Sequence, residues 1–223
     1  MTGPVLVLRP EPGASATVAA ARALGLEAIA APLFTVRSVD WILPERTPDA
    51  VLMTSANAAR MAGAALHSLA PLPLYAVGEA TAAAARDAGF TRIVAGEGGV
   101  DAIVARAAAD GIGHLLHLAG REHRVPTGDA PIIDRRIVYT ADPVATLPAE
   151  AAYLLPDAVA LLHSPRAAAL FATLVDRIAV RIVAISPATR AAAGDGWRVV
   201  AIADRPTDAS LLAAAVKLCN HGD

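Results

Sequence analysis

The chain has 223 residues, 55% of them hydrophobic and 18% charged, with a formal net charge of −2. That is enough apolar material for one large core or two small ones, and it lies far from the composition of disordered chains. The near-neutral charge, together with only 4% aromatic residues, argues against a nucleic-acid binder, which needs a basic face or a stacking platform.

No uncharged apolar run reaches the roughly 18 residues that span a bilayer. The opening, MTGPVLVLRP, has no basic region ahead of its apolar run, so no signal peptide is expected. The one cysteine, Cys219, offers neither a disulfide framework nor a metal cluster. The expectation is a soluble cytoplasmic protein with no membrane or nucleic-acid partner.

Short continuous apolar runs recur along the chain: Val5 to Leu8, Ala50 to Met53, Leu74 to Val77, Ile93 to Ala95, then LLHL, VALL, RIVAI and VVAI in the second half. Parallel strands buried on both faces read this way, continuous rather than alternating. Between them lie Ala-rich helical stretches ending in Gly, among them VAAARALG, ATAAAARDAG and ATRAAAGDG. Strand and helix alternating at this pitch predict an α/β chain of parallel sheets with flanking helices.

The chain also repeats itself. Ser55 in DAVLMTSANAARM matches Ser164 in DAVALLHSPRAAALF. Thr81 in YAVGEATAAAARDAGF matches Thr189 in VAISPATRAAAGDGW, and Asp101 in GGVDAIVARA matches Asp208 in RPTDASLLAA, at offsets of 109, 108 and 107. Three matches in order at near-constant spacing mean an internal duplication, and the period is too long for a solenoid. Two similar lobes are expected.

Four strand-to-helix turns carry hydroxyl or amide side chains: TSANAA, GEATAA, HSPRAA and SPATRA. Taken singly, Ser55, Thr81, Ser164 and Thr189 read as N-caps. Taken together, they mark strand ends of open parallel sheets, where ligands bind, and helix starts, which suit anions. Lobes facing each other across a cleft would then take a large ligand with several carboxylates or phosphates.

Other motifs carry less. AGREHR and DRRIVY read as solvated loop charge. His114 and His117 fall three apart on a strand and point to opposite faces, so with His123 they are not expected to make a zinc site. AGEGGVDA lacks the dinucleotide and Walker patterns. No Ser-His-Asp or Cys-His motif is evident, so chemistry here must rest on positioning.

The segments VLVLRPEPGASATVAAARALGLEAIAAPLF, DAVLMTSANAARM, YAVGEATAAAARDAGF, RRIVYTADP, DAVALLHSPRAAALF, VAISPATRAAA and ADRPTDASLLAAAV, in this order, resemble the uroporphyrinogen-III synthase family over almost the whole chain. The family commonly has Gly-Pro-Thr-Thr where Ser186-Pro187-Ala188-Thr189 stand, and often Ser-Pro at Ser55-Ala56. The resemblance implies a cyclising lyase of tetrapyrrole (haem-type) biosynthesis. It closes hydroxymethylbilane, a linear tetrapyrrole with eight carboxylates, into uroporphyrinogen III with inversion of the terminal ring and loss of water, by way of a spiro intermediate. It also implies that no metal or organic cofactor is used, that the chain is a monomer, and that substrate passes from hydroxymethylbilane synthase.

A simple duplication would end the first lobe near Gly111. The resemblance implies a crossed arrangement: residues 1–33 and 147–223 in one lobe, 39–133 in a second, inserted lobe, and 34–38 and 134–146 as a two-stranded linker beside the cleft. Tyr139 in the linker is the candidate catalytic acid, since a phenol holds its proton at neutral pH. The candidate substrate-binding residues are Thr54, Ser55, Gly78, Thr81, Ser164 and Thr189 at the four turns, with Arg9, Gly120 and Arg121. The competing readings are a non-enzymatic two-lobe binder of a small polyanion, for which Tyr139 is gratuitous, and an inactive homologue of the synthases.

Overall fold

The structure, a computed structural model, describes residues 3–127 and 131–220. In chain order the first elements are β1 (Val5–Val7), α1 (Gly13–Ala23), β2 (Ala28–Ala30), β3 (Phe34–Ser38), β4 (Ala50–Met53) and α2 (Ala56–Met61). There follow β5 (Leu74–Val77), α3 (Glu79–Asp87), β6 (Ile93–Gly96), α4 (Gly99–Ala109), β7 (His114–Gly120), β8 (Ile132–Pro143) and α5 (Ala149–Leu154). The chain ends with β9 (Val159–Leu162), α6 (Pro165–Leu174), β10 (Arg181–Ala184), α7 (Pro187–Ala193), β11 (Val199–Ile202) and α8 (Asp208–Asn220). Among the described residues, no helix is long and apolar enough to cross a membrane.

Two compact units result, Met1–Thr35 with Pro143–Asp223, and Val36–Asp142. The first holds a sheet of order β11-β10-β9-β1-β2, in which β1 pairs in parallel with β2 and β9. The second sheet has the order β3-β8-β7-β4-β5-β6. Apart from the added β3 edge, the two orders are the same, with β4 to β6 standing where β9 to β11 stand, β7 in place of β1 and β8 in place of β2. The repeat in the sequence is thus a repeat of topology, closed by the chain's opening segment in one unit and by its continuous middle in the other.

The strands read as unbroken apolar runs because both faces are covered. In the inserted unit, Val51, Met53, Leu74, Leu116 and Leu118 join one apolar cluster with residues of α2 and α3. Ala50, Leu52, Tyr75 and Leu115 join another with Val100, Ile103 and Val104 of α4. In the other unit, Val5, Val7, Val159, Leu161 and Val183 pack with Ala14 and Ala21 of α1 and Leu211, Leu212 and Ala215 of α8. Alanine on the facing helices lets them lie close to the sheets. Asp49 keys the central pair β4 and β7 by accepting the amides of Gly113 and His114 at 3.0 and 2.8 Å. At one edge of the second sheet β3 neighbours β8, and Arg37 pairs with Asp142.

The capping assignments need correcting at two turns. Ser55 and Ser164 are N-caps, accepting from Asn57 and Ala167 at 3.2 Å. Thr81 and Thr189 are not caps. Each stands third in its helix, behind Gly78 and Ser186 as the cap positions, and is buried. Gly78 can cap because its φ of +78° with ψ of 156° needs a residue without Cβ. Ser186 caps α7 through the Thr189 amide at 3.2 Å. Replacing Ser186 by Ala should therefore lower stability by about 1 kcal/mol in urea denaturation. An unchanged midpoint would place the capping elsewhere.

Candidate functional site

Parallel strands joined by right-handed crossovers add neighbours in one direction until the chain starts again from the other side of its first strand. There the two flanking connections leave in opposite directions, and a crevice opens at the strands' carboxyl ends. Here that point lies between β4 and β7 in the inserted unit, and between β1 and β9 in the other.

At the β4–β7 point is a pocket of about 300 Å3, lined by Thr54 and Ser55 after β4, Val77 at the end of β5 and Gly99 and Val100 at the start of α4. Glu122, His123 and Arg124 after β7, and Tyr139 of β8, complete it. Ser55 Oγ accepts the Asn57 amide, so its own proton is free to be donated to a ligand. Thr54 Oγ1 lies 3.4 Å from His117 Nε2. AGREHR and DRRIVY are accordingly not plain solvated loops: the first rims the pocket, and the second is part of β8.

Tyr139 reaches the pocket through an irregularity. Ala119 faces Ile137, but Gly120 faces Tyr139, so Val138 is an extra residue on β8. Such a bulge re-aims the side chain that follows it. The Tyr139 ring then crosses directly over Gly120. A Cβ there would lie 2.5 Å from Tyr139 Cζ and 2.8 Å from its hydroxyl oxygen. The Arg121 amide donates to the Tyr139 carbonyl at 2.9 Å and fixes the backbone below. His123 Nδ1 is 2.9 Å from the Gly120 carbonyl. Since a carbonyl only accepts, that nitrogen carries a proton and Nε2 is left for other contacts.

His117, three residues before Gly120 on β7, has no exposed surface. Its pKa is pushed down to about 3, chiefly by burial and then by the charges of Arg135 and His123. It is therefore neutral near pH 7. His117 and His123 meet edge to face at 5.8 Å, and among the described residues no group of three or more His, Cys, Asp or Glu is placed to hold a metal.

At the β1–β9 point, Arg9 follows β1, and His163 and Ser164 follow β9. Asp208, in the first turn of α8, accepts from Thr17 Oγ1 at 2.8 Å, lies 2.8 Å from His163 Nε2, and pairs with Arg9 at 3.5 Å. Burial opposes ionisation of Asp208, but those hydrogen bonds and the Arg9 charge outweigh it and hold the carboxyl below its usual range. Thr189 lies one turn away after β10, its hydroxyl 3.0 Å from Ser186 Oγ.

Thr54, Ser55, Gly120, Arg121 and Tyr139 thus gather at one switch point, with Gly78 and Thr81 at the neighbouring β5–α3 turn. Arg9 and Ser164 flank the other. Glu122, His123 and Arg124, read from the sequence as solvated loop charge, with His123 also weighed as a metal ligand, line the pocket instead. Of the partners of Asp208, Arg9 was expected at the site, whereas His163 and Thr17 were not, although the Asp101–Asp208 match was a signal. A larger groove of about 600 Å3 between α1 and α8 is lined by Ala20, Leu24, Leu212 and Ala213 among others, and its apolar walls suit no polyanion.

Two outcomes follow from this geometry. Gly120→Ala should lose about 1–3 kcal/mol through overpacking, and the same change in a Tyr139→Ala background should lose little. Equal losses in both backgrounds would mean that the ring does not cross Gly120. For His117, the unfolded chain takes up a proton that the folded chain refuses between pH 6.5 and about 3. Its contribution to stability is whole above the unfolded value and is lost as pH falls, at up to about 1.4 kcal/mol per pH unit. Denaturant titrations between pH 6.5 and 5 should show that slope reduced in His117→Gln, and an unchanged slope would assign it to other groups.

Comparison with known proteins bears on both units. The family model described as uroporphyrinogen-III synthase HemD matches residues 15–213. Uroporphyrinogen-III synthetase from Helicobacter pylori 26695 has a similar fold, with a TM-score of 0.65 at 16% identity over 97% of this chain and 99% of that one. A mutant uroporphyrinogen III synthase from the extremely thermophilic bacterium Thermus thermophilus superposes with a TM-score of 0.52 at 17% identity over 99% and 100%. Among curated protein sequences none matches. Covering nearly all of the chain, the family match is decisive: the chain belongs to the uroporphyrinogen-III synthase family, cyclising lyases of tetrapyrrole synthesis.

Proposed function

We propose that the chain closes hydroxymethylbilane to uroporphyrinogen III with Tyr139 as the acid and the two switch points as carboxylate anchors. The observation that carries this reading is the Tyr139 phenol held across Gly120 at the rim of a pocket that also presents Thr54 and Ser55.

Loss of the terminal hydroxyl as water needs a proton delivered to the departing oxygen while the electron-rich pyrrole pushes from behind. In this reading Tyr139 donates that proton. The resulting cation reacts fastest by plain closure to the non-inverted isomer. The task is therefore to hold the chain of pyrroles so that the terminal ring attacks through its substituted carbon, forming the spiro intermediate, and that is catalysis by orientation. Eight carboxylates supply the handles. Ser55 and Ser164 each have a hydroxyl proton to donate, Arg9 and Arg121 add charge, and the α3 and α6 helix starts favour anions by about 0.3–1 kcal/mol each. Gly78, Thr81 and Thr189 shape the adjoining turns, and Gly120 and Thr54 shape the floor and wall beside the phenol.

In the same reading the chain acts as a monomer in the cytoplasm. The buried free thiol of Cys219 suits a reducing compartment. Direct handover from hydroxymethylbilane synthase would limit spontaneous closure to the wrong isomer.

The test is incubation with enzymatically generated hydroxymethylbilane and separation of the isomers. Wild type should give uroporphyrinogen III. Tyr139→Phe should fold normally, keep the product isomer and turn over about 10- to 100-fold more slowly, the low end of general-acid assistance because the pyrrole already helps. Full turnover in a folded Tyr139→Phe chain would remove the phenol from the chemistry, and exclusive formation of the non-inverted isomer by wild type would defeat the functional reading.

A further inference from the structure

The repeat pairs Asp101 with Asp208, and the fold gives that pairing a chemical content. Asp101 lies in the first turn of α4, which follows β6, and Asp208 in the first turn of α8, which follows β11. These helices occupy equivalent places in the two sheets. Each aspartate receives one arginine and one threonine from the far side of its switch point. Asp101 takes Arg124 at 3.2 Å and the Thr127 hydroxyl and amide at 3.1 and 2.7 Å. Asp208 takes Arg9 as an ion pair at 3.5 Å and the Thr17 hydroxyl at 2.8 Å, and, without a counterpart at Asp101, also has His163 Nε2 at 2.8 Å. Arg124 and Thr127 come from the loop after β7, whereas Arg9 follows β1 and Thr17 sits within α1, 191 residues from Asp208. Since β7 and β1 hold equivalent places in their sheets, the arginine has the same origin in both units, and only the threonine is drawn from elsewhere.

An acid in the first turn of a helix is commonly there for the dipole alone. That explains neither the arginine nor its place. The Arg124 side chain is 75% exposed, and an ion pair so exposed adds little to stability. A guanidinium has five donors in a rigid fork, so one oxygen engages a single edge and leaves the rest outward. Immobilising it beforehand lowers the entropy lost when an anion binds. We propose that Asp101 and Asp208 are duplicated positioning residues, each orienting one arginine, Arg124 or Arg9, at the crevice of its own unit for the carboxylates of the tetrapyrrole. The proposal rests on the polycarboxylate substrate of the preceding section. Asp101 is held below the usual carboxylate range by the Thr127 amide first, against burial, and then by the Thr127 hydroxyl and Arg124, so both acids are charged at neutral pH as the role requires.

The experiment is a double-mutant cycle in each unit, read by fluorescence titration with uroporphyrin III and by synthase kinetics. Asp101→Asn and Asp208→Asn should each weaken uroporphyrin binding about three- to tenfold, the effect of freeing one long side chain. KM should rise in step, with kcat and the product isomer kept. Adding Asp208→Asn to Arg9→Ala, or Asp101→Asn to Arg124→Ala, should weaken binding no further than the arginine change alone. Wild-type affinity in both aspartate variants, effects that multiply in the doubles, or a wild-type chain that binds no uroporphyrin would each overturn the proposal. If Asp208→Asn unfolds for want of its Thr17 and His163 contacts, the Asp101 cycle decides. A wild-type chain that binds uroporphyrin but forms no uroporphyrinogen III overturns the catalytic reading and leaves the positioning role to be judged by binding.

Discussion

A parallel sheet built outward from its middle must leave one pair of neighbouring strands whose crossovers depart in opposite directions. In this chain that happens twice, at β4–β7 and at β1–β9, and the residues with chemistry to offer collect there. Covering both faces of each sheet with helices leaves only strand ends and loops for polar work. The crevices are thus a consequence of burying the strands. The internal duplication made the same opportunity available in both units.

Within the inserted unit, the contact on which the site depends is a void filled by a ring. Gly120 has no side chain because the Tyr139 phenol occupies that space, and the bulge at Val138 aims the ring there. Three residues before Gly120 on the same strand, His117 is kept neutral chiefly by burial. Glu122, His123 and Tyr139 line the pocket, but the reaction's difficulty lies in which carbon attacks, and that is set by geometry rather than by acid strength.

Much of this architecture was legible in the residues. Strands buried on both faces appear as continuous apolar runs, and every run singled out, from Val5–Leu8 to Val199–Ile202, falls on a strand, with only Leu8 and Ile185 just past the ends of theirs. The duplication was legible because each unit reuses its turn residues. The exact caps were not. Gly78 and Ser186 precede Thr81 and Thr189 by three residues, and a Gly or Ser ahead of a Thr gives no local sign of which one leaves the helix. The site's rim was harder still. Glu122, His123 and Arg124 look like any charged loop until β7 and β4 are placed side by side. The Asp208–Thr17 and Asp101–Thr127 contacts depend on pairings that no spacing rule encodes.

The most direct measurement is a crystal structure of the chain with bound uroporphyrin III, read for the positions of the eight carboxylates. The account predicts carboxylates against Ser55 and Arg124 at the β4–β7 point, with the Tyr139 hydroxyl facing the macrocycle. A porphyrin seated instead in the apolar groove between α1 and α8, or at the amino ends of the strands, would contradict it.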